Sequence, residues 1–171
     1  MLRFIEGREY AILIDYDRAL AVAYARQWAL SRNPAYLDFH TLGGDCTNFV
    51  SQCLFAGSGV MNFTPVFGWY YLSGNNRTAS WTSVEYLYRF LTENDGNGPF
   101  GNETPIHEIM IGDIVQLANR GERFSHAGIV TAVESGELLI AAHTTDAWMK
   151  PLSSYQQPVR RFIHIQGVRV L

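Results

Sequence analysis

The residues Gly43-Gly44-Asp45-Cys46-Thr47-Asn48-Phe49-Val50-Ser51-Gln52 open a helix at a cysteine. Gly43-Gly44 is a turn signal, and Asp45 suits a helix N-cap. The residues after Asp45 predict one short helix closed by Gly57-Ser58-Gly59. Phe49, Val50, Cys53 and Leu54 recur at helical spacing. Cys46 stands three and four residues ahead of the first two, which puts it in the first turn, on the stripe that faces the rest of the protein. Free backbone N–H groups and the positive end of the helix dipole favour a thiolate there. The plain alternative is a buried cysteine that serves only as a small hydrophobe. A base elsewhere in the chain decides between them.

Moving outward, 171 residues form most simply one domain, 1–171, able to bury a real core. Hydrophobic residues make up 47% and charged ones 17%, which excludes a disordered or solvating chain. A formal charge of −3 gives no electrostatic reason for a nucleic-acid or anionic-membrane partner. There is no apolar run of membrane-span length and no basic-then-apolar leader, so the chain reads as soluble, either as written or as the processed form of an exported protein. Cys46 and Cys53 lie seven residues apart on one helix, roughly 10.5 Å at the helical rise. A disulfide needs less than about 7 Å. Both thiols are expected free, with Cys53 in the core.

Tyr10–Ile14 reads as a short strand or an apolar lead-in. Asp17 caps an expected helix from Arg18 to Ser31, with Leu20, Tyr24 and Trp28 on one side and Asn33-Pro34 as its stop. Residues 61–81 are aromatic, and fill a core beside the helices or line a sugar or peptide groove. Asn-x-Thr triplets at Asn62, Asn76 and Asn102 matter only in a eukaryotic secretory pathway, of which there is no sign. Thr82-Ser83-Val84-Glu85 has capping-box spacing ahead of a Val84, Leu87, Tyr88, Leu91 stripe. Beyond Asn94–Pro99 the pattern turns extended, at 114–117, 127–133, 138–142 and 162–165. Helices first and strands after predict α+β, with the helices on one face of an antiparallel sheet.

Ser135-Gly136 between two of these runs is a hairpin signal. A two-residue loop sets Glu134 against Glu137, Gly128 against His143, and His126 against Thr145. His126 and His143 then share one sheet face as diagonal neighbours. Val130, Ala132, Leu139 and Ala141 share it too, as a surface for a helix to cover, and Gly128 leaves room for the imidazole opposite. A thiol nucleophile needs this set. One imidazole exchanges the proton, a second polar group orients the first, and N–H groups at the helix start stabilise the oxyanion. A Cys/His/His zinc site matches no zinc spacing, so no metal or organic cofactor is expected. His40, His107 and His164 read as surface or core residues.

These motifs resemble the bacterial putative amidase domain family from about residue 15 to the end. The resemblance rests on Asp45–Gln52, Tyr16-Asp17-Arg18, Tyr24-Ala25, Asn33-Pro34, Trp81–Val84, Gly112-Asp113-Ile114-Val115 and Ser125–Val130. That family is similar to the cysteine, histidine-dependent amidohydrolases and cell-wall endopeptidases of the papain-like superfamily. The resemblance implies a papain-like fold, Cys46 as nucleophile, His126 as general base and His143 as the polar third residue, with Asp146 its competitor. It implies cleavage of an amide bond through a thioester, on bacterial cell-wall (peptidoglycan) peptide. Relatives often carry Ser-Gly where this chain has Thr47-Asn48. Acyl transfer is a rival within the same chemistry. A catalytically silent module that binds peptide or glycan through residues 61–81 is the rival from another class.

Overall fold

The computed structural model describes residues 11–171. Nine strands are present among them: β1 (Ile12–Ile14), β2 (Tyr71–Ser73), β3 (Asn76–Arg77), β4 (Gly98–Glu103), β5 (Ile114–Ala118), β6 (His126–Glu134), β7 (Glu137–Ala142), β8 (Ala147–Pro151) and β9 (Val159–Val170). Four helices accompany them: α1 (Arg18–Trp28), α2 (Cys46–Ser58), α3 (Ala79–Thr82) and α4 (Val84–Glu93). The main sheet runs β1-β9-β5-β6-β7-β8, with β4 also on β9, and β2-β3 form a separate hairpin. The pairings are antiparallel. The fold class is thus α+β, with α1 and α2 laid against β6. β2, β3, β4 and β8 carry no plain strand signal: the first two lie within the aromatic stretch, and Gly98-Pro99 and the polar flank of Trp148 mask the others.

α2 is the centre of the molecule. It begins at Cys46 and ends on Gly59 in the left-handed region at φ 65°, the backbone glycine adopts most readily. Asp45 through Leu54 are all buried, none above 7% exposure. A helix buried all round must find partners for its polar residues, and the aromatic stretch supplies two of them. Trp81 Nε1 donates to Asn48 Oδ1 at 3.0 Å and Trp69 Nε1 to Ser51 Oγ at 3.1 Å. From α1, the Tyr24 hydroxyl donates to Gln52 Oε1 at 2.7 Å. Trp69, Tyr71 and Trp81 are core residues, whereas Phe63 and Phe67 are exposed.

α1 buries Ala21, Ala25 and the following Ala29 rather than the expected stripe; Leu20 is exposed and Tyr24 and Trp28 are only half-covered. Small residues let α1 approach α2 closely. A Cβ on Gly57 would stand 2.4 Å from the Tyr16 ring. Asp17 caps α1 as expected, accepting from Leu20 N–H at 2.9 Å. The capping box at α4 does not form. Ser83 is its N-cap without a side-chain bond, and Glu85 instead accepts from Arg161 at 2.9 Å.

Two of the sequence motifs meet in space. Arg18 donates to Asp113 Oδ1 at 2.6 Å and to the Ile165 carbonyl at 2.6 Å, and the Tyr16 hydroxyl donates to the Gly112 carbonyl at 3.0 Å. His164, read as surface or plain core, completes this cluster with Nδ1 2.8 Å from Asp113 Oδ2.

Candidate active site

Cys46 lies in the first turn of α2 at 7% exposure, and Cys53 one face deeper at 0%; both are free. The Cys46 sulfur rests on the backbone at the start of β6, 4.0 Å from the Ser125 carbonyl and beside the Ala127 N–H. These are the two residues that flank His126. Burial pushes the thiol above its ordinary pKa. The Ala127 N–H, the Thr47 hydroxyl and the Thr47 N–H pull it back, and Asp45 adds to the rise. Burial and the first-turn donors thus pull the thiol in opposite directions, with burial the stronger. The thiol needs a base.

His126 and His143 do not share a face, which corrects the expected register. The Ser135-Gly136 loop is as expected, with Glu134 opposite Glu137 and both loop residues at positive φ. Pairing then shifts by one residue between Val130 and Ala132. Thr131 is the extra residue of a bulge, its hydroxyl on the Leu139 carbonyl at 2.9 Å. A one-residue shift exchanges the faces beyond it. Val130 goes to the far side of the sheet and Ala141 to the helix side. The space at Gly128 belongs to Ile140, whose Cγ2 would be 2.4 Å from an added Cβ.

His126, opposite Leu117 on β5, therefore projects to the far side. Its ring lies 5.8 Å from that of Tyr155, tilted by 32°. Burial, then Lys150, holds its pKa below the ordinary histidine value. His143 lies just past β7, on the helix side and buried. Its Nδ1 is 2.5 Å from Asp45 Oδ2, its Nε2 2.8 Å from the Trp28 carbonyl, and its ring stacks on Phe49 at 4.1 Å. With both nitrogens so engaged, His143 turns to Asp45 and not to His126. Asp146, the competitor for the third role, accepts two bonds from Arg32 at 2.8 and 3.0 Å.

Asp45 is the site residue whose role the sequence did not disclose. It has no solvent exposure and sits at the N-cap of α2, yet its carboxylate caps nothing there. Oδ1 accepts from Phe39 N–H at 2.8 Å and from Asn48 Nδ2 at 2.9 Å, leaving Oδ2 for His143. Among the described residues no group of three His, Cys, Asp or Glu is placed to hold a metal ion, and no helix is long and apolar enough to cross a membrane. A cavity of about 430 Å³ lined by Asn62, Phe67, Ser80, Tyr86, Arg89 and Asp95 includes none of the three expected site residues.

Residues 15–166 match the family described as Putative amidase domain, and the chain belongs to that family. It is 32% identical over 170 residues to the uncharacterized protein YhbB of Bacillus subtilis (strain 168). That alignment covers 94% of this chain and 53% of YhbB, so the chain spans about half the length of this relative. No solved structure gives a match. Family membership points to a bacterial amidase domain and to amide-bond hydrolysis.

Proposed function

We propose that this chain is a papain-like thiol amidase in which Cys46 attacks a peptide or amide carbonyl. The carrying observation is the seat of the Cys46 sulfur, in the first turn of a buried helix and against the backbone on either side of His126. His126 is the base. It is the first residue of β6, and this reading requires the strand end to rearrange so that the ring leaves Tyr155 and comes round to the sulfur. Neutral imidazole is the form that accepts the thiol proton. The thiol proton passes to His126, and the sulfur bonds to the carbonyl carbon. The C–N bond then breaks, with the proton delivered to the leaving amine. Water hydrolyses the resulting thioester, assisted by the same imidazole. First-turn N–H groups of α2 face the developing oxyanion.

The motif resemblance supports bacterial cell-wall peptide as the substrate class. Peptidoglycan fragments incubated with the protein should yield new amine and carboxylate termini by mass spectrometry, and Cys46→Ala should yield none. Turnover by the alanine variant overturns the reading. The position of the His126 ring against Tyr155 favours a second reading, a binding module with an idle thiol. In that case the parent protein releases no new termini, and His126→Ala leaves the rate of Cys46 alkylation unchanged.

A further inference from the structure

We propose that His143 and Asp45 are a positioning pair for this site: His143 holds the Asp45 carboxylate away from the start of α2, leaving the first-turn N–H groups uncapped beside Cys46. The proposal rests on the reading of Cys46 as nucleophile.

The protein contains its own control. Aspartate is among the strongest N-cap residues because its carboxylate accepts an otherwise unpaired helix N–H. Asp17 does this at α1, with φ −77° and ψ 92° and its Oδ1 2.9 Å from Leu20 N. Asp45 holds the same position on α2 and does not, with φ −109° and ψ 1°. Every other hydrogen-bonding group of Asp45 is occupied. Its carboxylate accepts from Phe39, Asn48 and His143, its carbonyl accepts the Phe49 N–H at 3.0 Å, and its own N–H donates to Thr144 Oγ1 at 2.7 Å.

The groups that hold it are themselves fixed. His143 is pinned by the Trp28 carbonyl and the Phe49 ring. Thr144 and the next residue, Thr145, stand at φ 59° and 68°. That conformation is costly for a β-branched side chain and persists only where neighbours impose it. The titratable and charged groups facing the carboxylate are His143 from the end of β7 and Arg32 from beyond α1, whose Nε is 3.7 Å from Oδ2. Arg32 is shared with Asp38 and Asp146.

A carboxylate capping α2 would do two kinds of harm. It would occupy the N–H groups that must receive the oxyanion, and it would place negative charge nearer the thiol, disfavouring the thiolate. Neither effect is expected of a pair that only fills the core.

The test uses the full chain and follows iodoacetamide alkylation of Cys46 across pH by peptide mapping, which does not require the natural substrate. His143→Leu keeps the packing on Phe49 but has no donor. It should slow alkylation at pH 7 by about three- to tenfold and move the midpoint of the profile upward, a full unit being tenfold. Adding Asp45→Ala to it should return the rate to within about twofold of the parent, although stability does not recover. His143→Asn, which keeps a donor near the Nδ1 position, should hold the parental profile. If His143→Leu does not fold, the asparagine variant carries the test. A folded asparagine variant that alkylates slowly overturns the proposal, as does equal slowing in the leucine single and double variants. Failure of the amidase reading is separate: it appears as absent turnover in the parent or as turnover in Cys46→Ala, whatever the alkylation series gives.

Discussion

Asp45 and Asp113 are both wholly buried, and each is joined to one histidine and one arginine. At Asp113 the arginine is the close partner, Arg18 at 2.6 Å, and the backbone N–H groups of Met110 and Ile165 add two more donors at 2.9 Å. At Asp45 the histidine is the close partner at 2.5 Å, while Arg32 stands back at 3.7 Å. The first ties the start of α1 to β9 across the chain. The second orders one loop and the helix start beside the thiol. A fork of fixed guanidinium donors suits a permanent tie. A single imidazole donor suits a carboxylate that must be aimed.

The largest effect should separate the two outright. Asp113→Ala leaves Arg18 without its counter-charge and should cost about 3–5 kcal/mol in urea unfolding. Asp45→Ala, whose arginine keeps Asp38 and Asp146, should cost less, about 1.5–3 kcal/mol. Equal losses would break the comparison. The histidines sharpen it at the next scale. His143→Leu removes an almost fully buried donor and should cost about 1–3 kcal/mol, against about 0.5–1 kcal/mol for the partly exposed His164→Leu. Smaller still, Asp146→Asn loosens a half-exposed pair with Arg32 and should cost about 0.2–1 kcal/mol with turnover kept.

The faintest effect concerns His126, which faces Lys150 and an aromatic ring in place of a carboxylate. Its folded pKa lies below the unfolded value. Its contribution is therefore complete above the ordinary histidine pKa of about 6.5 and is lost as pH falls through the folded value. Melting curves between pH 7 and pH 5 should show a shallower decline in His126→Gln than in the parent. Parallel declines would mean the imidazole is as well solvated folded as unfolded.

Much of this was legible in the residues. The Gly59 stop, the Asp17 cap, the free cysteines, the two-residue hairpin loop and the α+β order all rest on local chemistry, and local chemistry is written in sequence. What failed was parity at a distance. Ile129-Val130-Thr131-Ala132 has no glycine or proline to announce a bulge, and four residues of high or neutral strand preference read as an unbroken run. One silent extra residue was enough to part His126 from His143. The role of Asp45 was hidden differently. An N-cap aspartate is read from its neighbours in the chain, while the histidine that turns it aside lies 98 residues away. Arg18, Asp113 and His164 were likewise visible singly and meaningful only together.

The burial of α2 on every side as far as Leu54 carries a consequence for how this protein tolerates change. An amphipathic helix has a wet face on which substitutions pass almost unnoticed, so its permissive and forbidden positions alternate with the helical repeat. From Asp45 to Leu54 there is no such face. Asn48, Ser51 and Gln52 are each tied to an aromatic donor, and Phe49 and Val50 between them are wholly buried. Drift can accumulate in Leu20, Phe67 or Tyr86, which look outward, but this decade of residues is a single indivisible word. Its spelling is constrained as much by the tryptophans that read it as by the chemistry at Cys46.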